Sequence, residues 1–269
     1  MTLADLTLDR WRTADAATAH RVARAVAAAV GGRVVHVDTP DASAATDATV
    51  PHRVRVERGG REFALIPGGR VSVGFDLGAW RPTPGQSADY AASVARGFGH
   101  GDDLRAHLAQ VLSPRREVVL PALLMAVEDE ALTAPPADMP AVLADRGLRL
   151  PTPDEWEHAC GAGAGTLFRW GDECPLDRDP YEDRTGPHRD PNAFGLRIAY
   201  DTYRAELTSD TTAVHGGDGG ESVCGGYGAL LAWLPLATSN RNPAMADFLR
   251  GPDGEGMYEE FGTRPVLPL

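Results

Sequence analysis

The chain has 269 residues, 43% of them hydrophobic, and a formal net charge of −12, enough for one large domain or two small ones around a true core. The acidic balance excludes nucleic acid as a partner, because neutralising phosphates requires a basic surface. No apolar stretch is long enough to span a bilayer, and Met1 to Trp11 lack the cationic-then-apolar pattern of a signal peptide.

Residues 14–30 are alanine-rich, with polar or charged positions at His20, Arg21 and Arg24, and Gly31-Gly32 follow as a stop, so the segment predicts a helix. Arg33 to Val37 predicts a short strand, and the small polar residues 38–49 a loop. Arg53 to Arg58 alternates with period two; Gly59-Gly60 and then Arg61 to Ile66 complete a hairpin with a two-residue turn. Another strand follows Pro67-Gly68-Gly69. Leu104 to Val111 predicts a helix, and Glu117 to Val127 a strand pair or one long strand. From Gly161 to Gly228 glycine, aspartate and proline dominate and regular periodicity is scarce. The scattered short strands do not fit a βαβ pattern, so the class expected is α+β.

The richest segment is Leu148-Arg149-Leu150-Pro151-Thr152-Pro153-Asp154-Glu155-Trp156-Glu157-His158-Ala159-Cys160. Thr152 suits an N-cap, Pro153 the first helical position, and Glu155 the third, where it closes a capping box. Trp156, Ala159 and Cys160 then share one face, and Gly161 supplies the expected stop. Cys160, Cys174 and Cys224 are odd in number and widely spaced, which offers neither a disulfide framework nor a zinc motif. A reduced, cytoplasmic setting is expected.

That segment resembles the R-L-P-T-x-x-E-W-E-x-A signature of the formylglycine-generating enzyme family, also called sulfatase-modifying factors. Six other stretches follow the family order over residues 61–269: Phe63 to Gly74, Ser113 to Pro121, Arg169-Trp170-Gly171, Asn192 to Leu196, Gly219-Gly220 and Phe261 to Arg264. The resemblance implies that variant of the C-type-lectin-like fold over 61–269. Residues 1–60 are then expected as a helix/strand extension packed on it.

The departures bear on function. In oxidase members of the family, two cysteines five residues apart hold copper, which activates oxygen to convert a substrate cysteine to formylglycine. Here Cys224 stands at the first position and Ala229 at the second. Copper(I) favours two thiolates, so copper is not expected. The family's calcium-binding G-N-V-W-E-W is reduced to Glu206 and the Thr208-Ser209-Asp210 tail; calcium needs six or more oxygens, and the site is incomplete. An acidic run over 172–183 is the other source of oxygens. The histidine ligand triad of the family's iron-dependent branch is absent, since His100, His107 and His158 do not approach its spacing.

What remains is the cleft that the family uses for peptide substrates, with Trp170, Asp218, Trp233 and Arg241 as its candidate lining. Three of them have a second reading: core packing for the two tryptophans, an Asx-type turn cap for Asp218 within Gly216 to Gly220. Two functions follow. One is a binding module that captures a peptide or small molecule for a partner; the other is a divergent metal-dependent oxidase or oxygenase acting on a thiol substrate through Cys224, supported by His215 or Asp218.

Overall fold

The computed structural model describes residues 2–39, 50–254 and 256–269. Most of the loop expected over 38–49 lies outside the described residues. In chain order the chain forms α1 (Leu8–Arg12), α2 (Ala16–Ala29), β1 (Arg33–Asp38), β2 (Arg53–Arg58), β3 (Arg61–Ile66), β4 (Gly69–Val73), α3 (Pro84–Ala95), α4 (Leu104–Val111), β5 (Arg116–Leu120), β6 (Leu123–Ala126) and β7 (Glu130–Ala131). There follow α5 (Met139–Ala144), α6 (Pro153–Gly161), β8 (Ala205–Leu207), β9 (Val214–His215), α7 (Glu221–Cys224), α8 (Ala229–Trp233), α9 (Pro243–Arg250), β10 (Phe261–Thr263) and β11 (Val266–Pro268). The class is α+β. Among the described residues no helix is long and apolar enough to cross a membrane.

A five-stranded antiparallel sheet in the order β1-β2-β3-β6-β11 forms the centre. Alternation along its middle strands divides the core in two. Phe63, Leu65, Leu124 and Ala126 face one cluster, which α2 covers with Ala19, Val22, Ala23, Val26 and Ala27. Ala64, Ile66, Leu123 and Met125 face the other, which holds Trp156, Ala159, Cys160 and Trp233. Both faces of β3 and β6 are therefore buried. The strands β1 and β2, from the first sixty residues, belong to this same sheet.

The hairpin forms in the expected register, Arg58 opposite Arg61, with Gly59 and Gly60 both at positive φ. The apolar run 117–127 forms two strands in different sheets, because β5 pairs with β4 and β6 with β3. The helix α3, absent from the sequence reading, opens on a capping box between Thr83 and Gln86 with Pro84 in its first turn.

Helix α6 begins as expected. The Glu155 amide donates to Thr152 Oγ at 3.2 Å and the Thr152 amide to Glu155 Oε2 at 2.8 Å. Arg149 holds the same carboxylate with two bonds of 2.6 and 2.7 Å. The helix end differs from expectation. Gly161 is helical, and Ala162 takes the left-handed turn at φ 49°. Asn192 explains the extension: its amide donates to the carbonyls of Ala159 and Cys160 at 2.6 and 3.1 Å, satisfying groups that a helix end leaves open. Its Oδ1 meanwhile accepts from the amides of Phe194 and Leu196.

Candidate functional site

The segment 239–242 is held on both sides. The Arg241 amide donates to Val111 O at 2.9 Å, Ser113 N to Ser239 O at 3.0 Å, and Asn242 N to Val214 O at 2.9 Å. Asn242 also caps α9 through Met245 N. This clamp buries Asn240 and leaves Arg241 exposed. Among the described residues the Arg241 side chain has no hydrogen-bond or ion-pair partner in the fold, although it stands in two hollows at once.

The larger hollow, about 530 Å³, is lined by Phe98, His100, Asp218, Glu221, Tyr227 and Arg241 among others. Phe98 and Tyr227 stack at 4.4 Å and make an aromatic shelf. Tyr227 Oη donates to Glu221 Oε1 at 2.7 Å. His107 lies behind His100, their rings 5.2 Å apart; burial, with His100 nearby, lowers its pKa to about 4, so it is neutral. The smaller hollow, about 410 Å³, contains Ser113, Arg116, Asp154, Glu157, His215 and again Arg241. Here Glu157 is buried and accepts from Ser113 Oγ at 2.6 Å, and burial raises its pKa. Arg116 bridges it to Asp154.

Asp218 lines the cleft, but its carboxylate is fully engaged. Oδ1 accepts from Gly220 N, and Oδ2 from both the amide and the hydroxyl of Ser222. It therefore builds the turn that sets Glu221 and Ser222 on the rim. The glycines serve close packing: a Cβ at Gly217 would sit 2.5 Å from Arg204 O, and one at Gly220 2.2 Å from the Tyr203 ring.

The structure places the two tryptophans away from these hollows. Trp170 stacks on Phe168 at 4.9 Å and meets Trp233 edge-on at 5.9 Å, with His188 against Trp233 at 4.9 Å. Their indole N–H groups donate to the carbonyls of Glu173 and Arg178, tying down the acidic loop. They serve packing and loop anchoring, and neither lines the two hollows that Arg241 shares.

Cys224 is exposed at the end of α7, and its Sγ lies 3.1 Å from Tyr203 Oη. Its polar contact is thus Tyr203, and neither His215 nor Asp218 supports it. Cys160 and Cys174 are separate free thiols, both pushed up to about 12 by burial. A two-thiolate copper site does not fit this donor set. The proposed calcium residue Glu206 is likewise engaged. Its oxygens meet Arg264 at 2.6 and 3.1 Å and Trp156 Nε1 at 2.8 Å. The remaining Arg264 N–H groups donate to the carbonyls of Ala126, Val127 and Arg197, so all five are matched. Among the described residues no three His, Cys, Asp or Glu side chains converge to hold a metal ion.

His215 sits inside this knot. It is buried, stacks on Trp156 at 5.0 Å, and its Nδ1 donates to Asn240 O at 2.8 Å. Sequence reasoning missed Phe98, Tyr227, Arg116 and Glu157 as lining residues. No local sequence signal joins these four, because they come from four separate stretches of the chain. No family model matches this chain, and no curated protein matches it.

Proposed function

We propose that the chain is a divergent formylglycine-generating-enzyme-like binding module, of the C-type-lectin-like kind, whose cleft captures a peptide or small molecule for a partner protein. The observation that carries this reading is Arg241, a guanidinium without a partner among the described residues and shared by two adjoining hollows. Guanidinium groups recognise carboxylates through two parallel bonds, while the Phe98–Tyr227 shelf offers area to an aromatic or apolar group. The ligand is therefore a molecule that combines an anionic group with an apolar one.

The family likeness is supported by what the matching residues do. Trp156, Glu206 and Arg264 form one buried knot, and Asn192 ends α6, so these positions serve the scaffold. The three free cysteines support a reduced setting, and a cytoplasmic location is part of the same proposal. The second reading, oxidation of a thiol substrate through Cys224, draws on that thiol's exposure beside Tyr203.

Titration with N-acetylphenylalanine and with its amide separates these elements. The carboxylate form should bind about tenfold more tightly, equal to about 1.4 kcal/mol, and Arg241→Gln should erase the difference. Equal binding of acid and amide would refute the Arg241 assignment. One equivalent of copper or iron in purified protein, lost on Cys224→Ser, would favour the oxidase reading.

A further inference from the structure

We propose that a third hollow, between the β2–β3 turn and the α5–α6 connection, binds a phosphoryl group. It has a volume of about 410 Å³ and is lined by Arg58, Gly59, Arg61, Phe63, Arg146 and Leu148. It shares no residue with the Arg241 cleft, so the two proposals stand or fall separately.

The argument begins with an electrostatic cost. Arg58 and Arg61 are directly opposite each other in the closing pair of the hairpin, and like charges at facing positions destabilise a strand pair. The tertiary fold then adds a third guanidinium, Arg146, from beyond α5. One carboxylate answers two of the three. Glu130 on β7 accepts two bonds from Arg146, at 2.8 and 3.1 Å, and pairs with Arg61. Arg58 has no carboxylate among the described residues. Its Nη1 reaches the Arg146 carbonyl at 3.4 Å, and its guanidinium lies against Gly147, where a Cβ would come within 3.3 Å of Nη2.

The hollow thus retains two uncompensated positive charges in a chain whose formal net charge is −12. All three basic groups are arginines, whose planar N–H forks match phosphate oxygens and form short, charge-assisted bonds. Buried Phe63 and Leu148 provide a floor that water does not penetrate well. Gly59 stands at the open rim with nothing within 4 Å of a Cβ position, so the approach is unobstructed. A tetrahedral dianion would neutralise the site and relieve the Arg58–Arg61 repulsion. Neighbouring hairpin arginines each meet a carboxylate, Arg55 with Glu62 and Arg61 with Glu130, as does Arg33 with Glu57, which marks Arg58 as the exception beside them.

The test is calorimetric titration of the full chain at low ionic strength with inorganic phosphate, glycerol 3-phosphate and O-phosphoserine. Tighter binding of either ester than of phosphate identifies an organic phosphate as the source; tighter binding of phosphate identifies the free ion. Arg58→Gln should weaken binding at least tenfold, whereas Arg33→Gln, outside the hollow, should leave it unchanged. Glu130→Gln removes the hollow's own carboxylate and should tighten binding, a gain that a damaged fold would not produce. Absence of binding by all three probes, an equal effect of Arg58→Gln and Arg33→Gln, or weaker binding by a folded Glu130→Gln protein would overturn the proposal.

Discussion

The buried imidazole of His215 makes a quantitative prediction about acid lability. Burial drives its pKa down from 6.5 to about 4, against the bond to Asn240 and the charge of Asp210, which act upward. A group whose folded pKa is depressed in this way binds its proton less readily in the native state than in the unfolded one. The stability it contributes is complete above pH 6.5 and is lost as the pH falls towards 4. The gap of about 2.5 pH units corresponds to about 3 kcal/mol, a large share of the ~5–15 kcal/mol typical of a folded domain. His215→Asn retains an N–H near the position of Nδ1 but cannot titrate. Urea unfolding of both proteins between about pH 7 and pH 4 isolates this proton from those of His107 and His188, which are also lowered to about 4. The variant should be the less stable protein near neutrality, because it loses the Trp156 stack. Its deficit should shrink by about 3 kcal/mol at the acid end. A deficit that stays constant across that range would refute the reasoning, as would an imidazole that titrates near 6.5 by NMR.

Two further outcomes follow from the knot and from the helix start. Arg264→Leu leaves the Glu206 carboxylate buried without its cation and should cost about 3–5 kcal/mol in chemical denaturation, whereas Arg264→Leu combined with Glu206→Leu should recover part of that loss. Thr152→Ala removes one half of the α6 capping box and should lower stability by about 1 kcal/mol in chemical denaturation; a loss beyond about 3 kcal/mol would show that the cap carries tertiary load as well.

Features that depend on neighbours in the chain were legible in the residues alone. The Thr152–Glu155 box, the Gly59-Gly60 turn and the spans of α2 and α4 each need only a few consecutive residues to satisfy their own backbone groups. Helix α3 carried the same Thr-Pro-x-Gln logic as α6 and was readable, but the glycines and prolines around it masked the periodicity. The α6 boundary was not local: Asn192, more than thirty residues away, supplies the donors that carry the helix through Gly161.

The cleft shows the same division. Composition could nominate Trp170 and Trp233 as walls, because aromatic residues suit both pockets and cores. Only packing against Phe168 and His188 put Trp233 in the core and Trp170 half-buried against it. Glu206 had the residue type of a calcium ligand, and the role it takes was fixed by an arginine fifty-eight positions on, at the centre of a buried sheet. Charge, caps and turns are properties of a short stretch of chain. Which carboxylate meets which guanidinium is decided by the fold, because in a dry interior a charged group must find its partner wherever packing brings one within reach. Arg241 and Arg58 are two guanidiniums that packing left, among the described residues, in hollows without a carboxylate partner.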